Sequence, residues 1–307
     1  MSLPANHAER MERARLSLDG LAIGDAFGEM LAYNCAAARQ RVERGLMAGP
    51  WWHTDDTEMA LSIFEVLRVH GRIEPNELAM RFSERFRRSP DRGYGQATRV
   101  LLRAILAGED WRKASASAFD GTGSLGNGGA MRAAPLGAYF AEEPESILRA
   151  ETVLATMVTH AHREGQAGAI AVAVAASMAW KLRGRPVDEA AKELLQAVYD
   201  RTPDGETRVG LAKALKLPLI NPSQVAARTL GNGSLITAPD TVPFVIWSAA
   251  KNLDNYVEAL VSTVTCDGDC DTNCAMVGGI VALFAGRASI PAEWEAARER
   301  YDFESTK

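Results

Sequence analysis

Two short stretches of the 307-residue sequence hold more acid than packing alone asks for: "HTDDTEMAL", His53 to Leu61, and "GDCDTNCA", Gly268 to Ala275. Each brings two carboxylates and a threonine to the start of a run with helical periodicity, Thr54, Asp55 and Asp56 in the first and Asp269, Asp271 and Thr272 in the second. Taken singly, either is explained by helix capping, in which an Asp or Thr oxygen accepts a free backbone N–H of the first turn. The same residue types recur at the same kind of position more than two hundred residues apart, and that repetition favours shared chemistry. If the two helix starts meet, four carboxylates crowd one pocket and repel one another unless a cation compensates them. Hard oxygen ligands of this kind suit magnesium, manganese or calcium rather than zinc.

Sulfur is the rival chemistry, because Cys266, Cys270 and Cys274 lie in and beside the second stretch. Their spacing matches no common zinc pattern, and no second pair of Cys or His completes one. A series at i, i+4 and i+8 describes more simply one face of a buried helix, so Cys270 is expected to be a bystander between two ligand aspartates. Five histidines, scattered along the chain, do not build a metal centre by themselves. No serine or cysteine is accompanied by the base and orienting group that a nucleophile needs.

The elements that must position these residues read as helices almost throughout. Periodicity predicts helices near 9–27, 57–70, 75–87, 94–107, 145–157, 165–183, 187–199, 208–215, 222–228, 241–249, 254–264, 272–286 and 291–301. Alternating strand patterns are scarce, and no low-complexity linker divides the chain, so the expected architecture is one all-α domain over 1–307. The glycine- and proline-rich stretches near 119–137 and 216–240 are long for connectors, and such loops tend to carry function. Within the first, "GTGSLG" from Gly121 to Gly126 satisfies the dinucleotide fingerprint literally, but no hydrophobic strand precedes it. What survives is that glycine lets backbone amides approach a diphosphate closely.

Composition excludes other classes. A net charge of -5 and a pI near 5.7 give no basic footprint for nucleic acid or an anionic membrane. The N-terminal stretch has no apolar core of a signal peptide, so a cytoplasmic location and reduced cysteines are expected. The longest apolar run, Ala167 to Trp180, is too short and too rich in small residues to span a bilayer and reads as a buried helix.

The motifs together resemble the ADP-ribosylglycohydrolase family, whose members remove ADP-ribose from arginine or serine side chains and from dinitrogenase reductase. The matching pieces are "GLAIGDAFGE" (Gly20 to Glu29), "HTDDTEMAL", "GNGGAMRAAPLG" (Gly126 to Gly137), "VTHAH" (Val158 to His162), "DTVPFVIW" (Asp240 to Trp247) and "GDCDTNCA", in the family's order. The resemblance implies a compact all-α bundle holding two magnesium or manganese ions. Thr54, Asp55 and Asp56 would supply one set of ligands, and Asp269, Asp271 and Thr272 the other. Gly126, Asn127, Gly128, Gly129, Met131 and His160 would line the groove for ADP-ribose. Arg132 would meet phosphate or, preferably, brace the loop through a buried ion pair, and Asp25 would tie backbone groups beneath the site.

The implied reaction is hydrolysis of the bond from the ribose anomeric carbon to its acceptor, with Glu29, Asp56 and Asp269 as the catalytic set. Relatives place a glutamate where this sequence has Ala32, so that role passes here to the nearest glutamate, Glu29. The expected partner is an ADP-ribosylated protein, arginine-linked first, with serine linkage, a small ADP-ribose conjugate or a modified nucleobase as alternatives. The rival readings are a dinuclear-metal nucleotide phosphoesterase and a non-catalytic ADP-ribose-binding or crystallin-like relative.

Overall fold

A computed structural model describes residues 3–46 and 48–301. The chain runs through α1 (His7–Leu31), α2 (Ala38–Glu43), α3 (Asp55–His70), α4 (Pro75–Arg88), α5 (Gln96–Leu106), α6 (Trp111–Gly121), α7 (Ala134–Tyr139) and α8 (Glu145–Met157). It continues through α9 (Arg163–Leu182), α10 (Val187–Arg201), α11 (Glu206–Lys216), α12 (Ser223–Leu230), α13 (Ala238–Lys251), α14 (Tyr256–Val264), α15 (Cys270–Ala285) and α16 (Ala292–Ala297). Among the described residues there is no β-strand, only isolated bridges joining Trp51 to Arg298 and Gly126 to Thr237. The all-α expectation holds.

Helices α1 and α15 form the central pair, and glycine is the reason they come so close. Gly20, Gly24 and Gly28 recur every four residues and make one stripe of α1. A β-carbon at Gly20 would lie 2.5 Å from the Gly278 carbonyl oxygen, and one at Gly24 or Gly28 would overlap the carbonyl of Cys274 or Cys270. Backbone therefore packs on backbone, and the C-terminal half of α1 lies against the first turn of α15. Both helices are buried on nearly every side, as expected for helices at the centre of a bundle. The Ala-rich helix α9, also buried along most of its length, packs on α7 where Gly137 sits against Ala173. The apolar run Ala167 to Trp180 is thus a core helix, and no described helix is long and apolar enough to cross a membrane.

The structure adds elements that periodicity did not predict. A 3-10 turn over Ala32–Ala37 and α2 follow α1, α6 precedes the glycine loop, and α7 lies inside the expected loop 119–137. The helices α2 and α7 have six residues each, too few turns for a pattern of 3.6 to show. In α6 the alternation of Ser and Ala dilutes the apolar stripe, and the N-terminus is marked instead by Asp110, whose side chain accepts from Arg112 N. Cys266 lies in the turn after α14 rather than on a helix with Cys270 and Cys274, so the three cysteines do not form one helical face.

Candidate metal centre and substrate cavity

The two acidic corners meet. Thr54 from the start of α3 and Thr272 from the first turn of α15 both donate their hydroxyls to the same oxygen, Asp56 Oδ2, at 3.1 and 3.2 Å. The other oxygen, Asp56 Oδ1, is buried and has no hydrogen-bond partner among the described residues. Asp25, Asp56 and Asp271 each offer a carboxylate oxygen, and these atoms lie within 4.8 Å of one another.

Capping does not use up these acids. At α3 the cap is Thr54, whose Oγ1 accepts from Asp56 N at 3.3 Å, leaving both aspartate carboxylates of the first turn outside the cap. At α15 the N-cap residue is Asp269, yet its side chain makes no capping bond. It accepts instead from Asn127 Nδ2 at 2.6 Å, while its own backbone N–H donates to the Asn232 carbonyl. Gly233 stands directly behind it, where a β-carbon would lie 2.7 Å from Asp269 Cβ. The stretch Gly231 to Gly233 therefore holds an acid in place.

Asp25 ties the floor together as expected. Its carboxylate accepts the backbone N–H of Thr54 at 3.0 Å, the backbone N–H of Thr57 at 3.1 Å and the Thr57 hydroxyl at 2.5 Å. Burial pushes Asp25 up to about 6 against the pull of His53, and Asp271 adds to the rise. Burial, then Asp271, moves Asp269 up to about 7, with Asn127 opposing. Asp55 and Asp56 are raised well above the carboxylate range by burial and then by their acidic neighbours. Crowded carboxylates of this kind, with one buried oxygen left unpaired, fit divalent cations bound through hard oxygens.

A cavity of about 730 Å3 opens beside the cluster. Asp55, Asp56, Asp269, Asp271 and Thr272 form one end, and Gly126, Asn127, Gly128, Met131 and His160 form a wall. Gly129 does not line it: a β-carbon there would lie 2.6 Å from Thr156 Cγ2, so this glycine serves packing. Thr54 lines a neighbouring cleft together with Glu29 and Asp271. Glu29 is exposed at that rim, and its carboxyl is raised by partial burial and then by Asp271.

His160 is buried, with Nδ1 2.7 Å from the Thr159 hydroxyl. That hydroxyl also accepts from Arg132 Nη2 at 2.7 Å, and Nε2 is the ring nitrogen turned towards the loop. Burial and then the Arg132 charge hold His160 down at about 3, so the ring is neutral. A β-carbon at Gly128 would lie 2.9 Å from the ring, and only glycine lets the loop rest on it. Arg132 itself braces the loop, but not through an ion pair. Its guanidinium is fully buried over the Phe82 ring at 4.4 Å and donates to the Ala155 carbonyl and Thr159. Burial lowers it to about 9 against the pull of Asp55.

The far wall comes partly from the two loops expected to carry function, through Phe119, Thr122 to Leu125 and Leu235 to Thr237. Sequence reasoning missed its other part, Gly93 and Gly95 to Thr98. Phe119 and Ile236 have positive φ, 52° and 55°, and are largely exposed. Such backbone strain in non-glycine residues collects at binding sites, but no sequence pattern announces it. The segment "SPDRGYGQ", Ser89 to Gln96, did carry a signal in its clustered proline and glycines. The tryptophans also divide: Trp51 packs on Trp294, whereas Trp52 walls the neighbouring cleft.

Comparisons with known proteins agree with this geometry. The model of the ADP-ribosylglycohydrolase family matches residues 6–306. ADP-ribosylhydrolase ARH3 of Xenopus tropicalis is 29% identical over 96% of this chain and 93% of its own length. ADP-ribosylarginine hydrolase Tri1 of Pseudomonas putida (strain GB-1) is 27% identical over 93% of this chain and 74% of its own length. A solved structure described as an ADP-ribosylglycohydrolase-related protein complex superposes with a TM-score of 0.69 at 25% identity, covering 95% of this chain and 94% of that one. The chain belongs to the ADP-ribosylglycohydrolase family and is an ADP-ribosyl hydrolase.

Proposed function

We propose that the chain, working as a single domain, uses two magnesium or manganese ions to hydrolyse the bond between the anomeric carbon of ADP-ribose and an arginine side chain of a protein. The observation that carries this reading is the meeting of the two acidic corners on Asp56, with its Oδ1 buried and unpaired. Asp55, Asp56 and Thr54 would bind from one side, and Asp269, Asp271 and Thr272 from the other. A pair of divalent cations bound there orients ribose hydroxyls and lowers the pKa of a water. The name of the Tri1 relatives, ADP-ribosylarginine hydrolase, supports the acceptor.

The chain's own residues account for the remaining work. Gly126, Asn127, Gly128 and Met131 bind the ADP-ribose, with His160 supporting the loop from below. Phe119 and Ile236, exposed at the cavity mouth, offer apolar faces for a planar base. As water adds to the anomeric carbon and the carbon–nitrogen bond breaks, the one proton the water gives off passes to the Asp56 and Asp269 pair, which holds it on one of its carboxylates. Glu29 returns a proton to the departing nitrogen, so that ADP-ribose and an unmodified arginine leave.

The test is incubation with ADP-ribosylated arginine and serine peptides, with magnesium, with manganese and with chelator, while products are identified. Release of intact ADP-ribose from the arginine peptide, lost in chelator, is the expected result. Release of AMP would mean a nucleotide phosphoesterase. Tight ADP-ribose binding without turnover would mean a binding protein.

A further inference from the structure

Asp271 and Gly93 line two cavities at once: the one described above and a second cleft of about 530 Å3 that meets it at the carboxylate cluster. A glycosidic substrate has two sides as well. With its anomeric carbon at the cluster and its nucleotide along the glycine wall, the acceptor must extend the other way. We propose that the second cleft is the acceptor site, and that Asp91 and the Trp52 indole in it recognise a guanidinium, beside the Glu29 that protonates its departing nitrogen. This inference rests on the hydrolase reading above and adds where, and by which groups, arginine is read.

The chemistry of the lining supports a cation. Glu29 and Asp91 face the cleft, and among the described residues neither carboxylate has a hydrogen bond or ion pair. The cleft's own cations are engaged elsewhere: Arg92 forks onto Glu299 at 2.7 and 2.6 Å and donates to the His53 carbonyl, and Arg88 also has a partner. Trp52 is 59% exposed, and the Arg92 guanidinium already lies 5.8 Å from its ring centroid. The indole thus carries one guanidinium while most of its surface stays open to a second. A guanidinium is planar, stacks on aromatic rings and presents forked N–H donors to carboxylates. A serine hydroxyl would leave Asp91 and the indole without a matching group.

Kinetics on the two peptides, together with binding of free ADP-ribose, test the assignment in wild type, Trp52→Ala and Asp91→Asn. The expected result is a rise in KM for the arginine-linked peptide of about tenfold in either variant, the effect of losing one charge-assisted or cation–π contact. The ADP-ribose Kd should stay put, and the preference for arginine over serine linkage should shrink. An unchanged KM for the arginine peptide, or an equal loss of ADP-ribose affinity, overturns the assignment. Binding of Nα-acetyl-arginine amide to the ADP-ribose-saturated protein separates the two readings. Should wild type hydrolyse neither peptide yet bind this probe, with the binding weakened in Asp91→Asn, the hydrolase reading falls and the cleft assignment stands. Hydrolysis of the arginine peptide by a protein that does not bind the probe rejects the cleft alone.

Discussion

The two acidic corners use the same residue types but are built in different ways. The corner at α3 has a side-chain cap of its own and a floor from α1: Thr54 caps its helix, and the single carboxylate of Asp25 gathers three donors from Thr54 and Thr57. The corner at α15 has no side-chain cap. Asp269 is held by Asn127 from the glycine loop and by Asn232 from the segment before α13, and the helix start rests on Gly28 of α1. A motif that looks repeated in sequence is therefore one turn capped by its own threonine over a floor from α1, and one turn without a side-chain cap, positioned by three distant segments. The first should depend mainly on the Asp25 contact, and the second on all three segments.

The largest effect tests what the corners share. Asp55→Ala and Asp271→Ala should each cut ADP-ribose release by about 10²–10³-fold or more, the scale of losing one preorganised electrostatic partner. Circular dichroism should show the fold intact. Magnesium should raise the Tm of wild type but not of Asp55→Ala; an equal rise in both would detach Asp55 from the metal.

Gly28→Ala sharpens the contrast between the corners. Its β-carbon would meet the Cys270 carbonyl and lie 2.6 Å from Asp271 Cα, so α1 and α15 must separate. Overpacking of this kind costs about 1–3 kcal/mol, and denaturant unfolding should show it. Activity should fall with it, because the strain lands on the α15 corner. Asn127→Ala removes the amide that fixes Asp269 and should weaken metal affinity by about 10–100-fold, as losses of outer hydrogen bonds to metal ligands do. Calorimetric titration with manganese reads this directly, and no change would place Asn127 outside the metal site.

The smallest effect concerns pH. His160 is neutral in the native protein because burial and Arg132 depress it to about 3, whereas the unfolded chain protonates it near its ordinary 6.5. Its contribution to stability is thus complete above about pH 6.5 and lost progressively as pH falls towards 3. In His160→Asn the fall of stability below about pH 6.5 should be shallower than in wild type. Parallel urea-denaturation profiles would show that the ring does not carry this linkage.

Much of the fold was legible because long amphipathic or wholly apolar helices repeat their pattern over several turns, as α3, α4, α9 and α10 do. The short α2 and α7 offered too few turns, and α6 substitutes small residues for an apolar stripe. In the site, the acids and the wall residues Gly126, Asn127, Gly128, Met131 and His160 were legible as motifs. Gly129 was misread because glycine serves equally for approach to a ligand and for approach to Thr156. Trp52, Asp91 and the strained Phe119 and Ile236 carry no motif, and their neighbours come from other helices.

The amino-acid sequence alone determined the helical class, the acidic clusters and the glycine stripe on α1, since these depend on residue type and on spacing along a single helix. Only the tertiary structure decided that Thr54 and Thr272 converge on one oxygen of Asp56, that Asp269 is held rather than capped, and that a second cleft opens at Asp271. Those facts are relations between segments far apart in the chain, Thr272 with Asp56 and Asn127 with Asp269 among them. They are set by how closely α1 and α15 can pack, which no local pattern encodes.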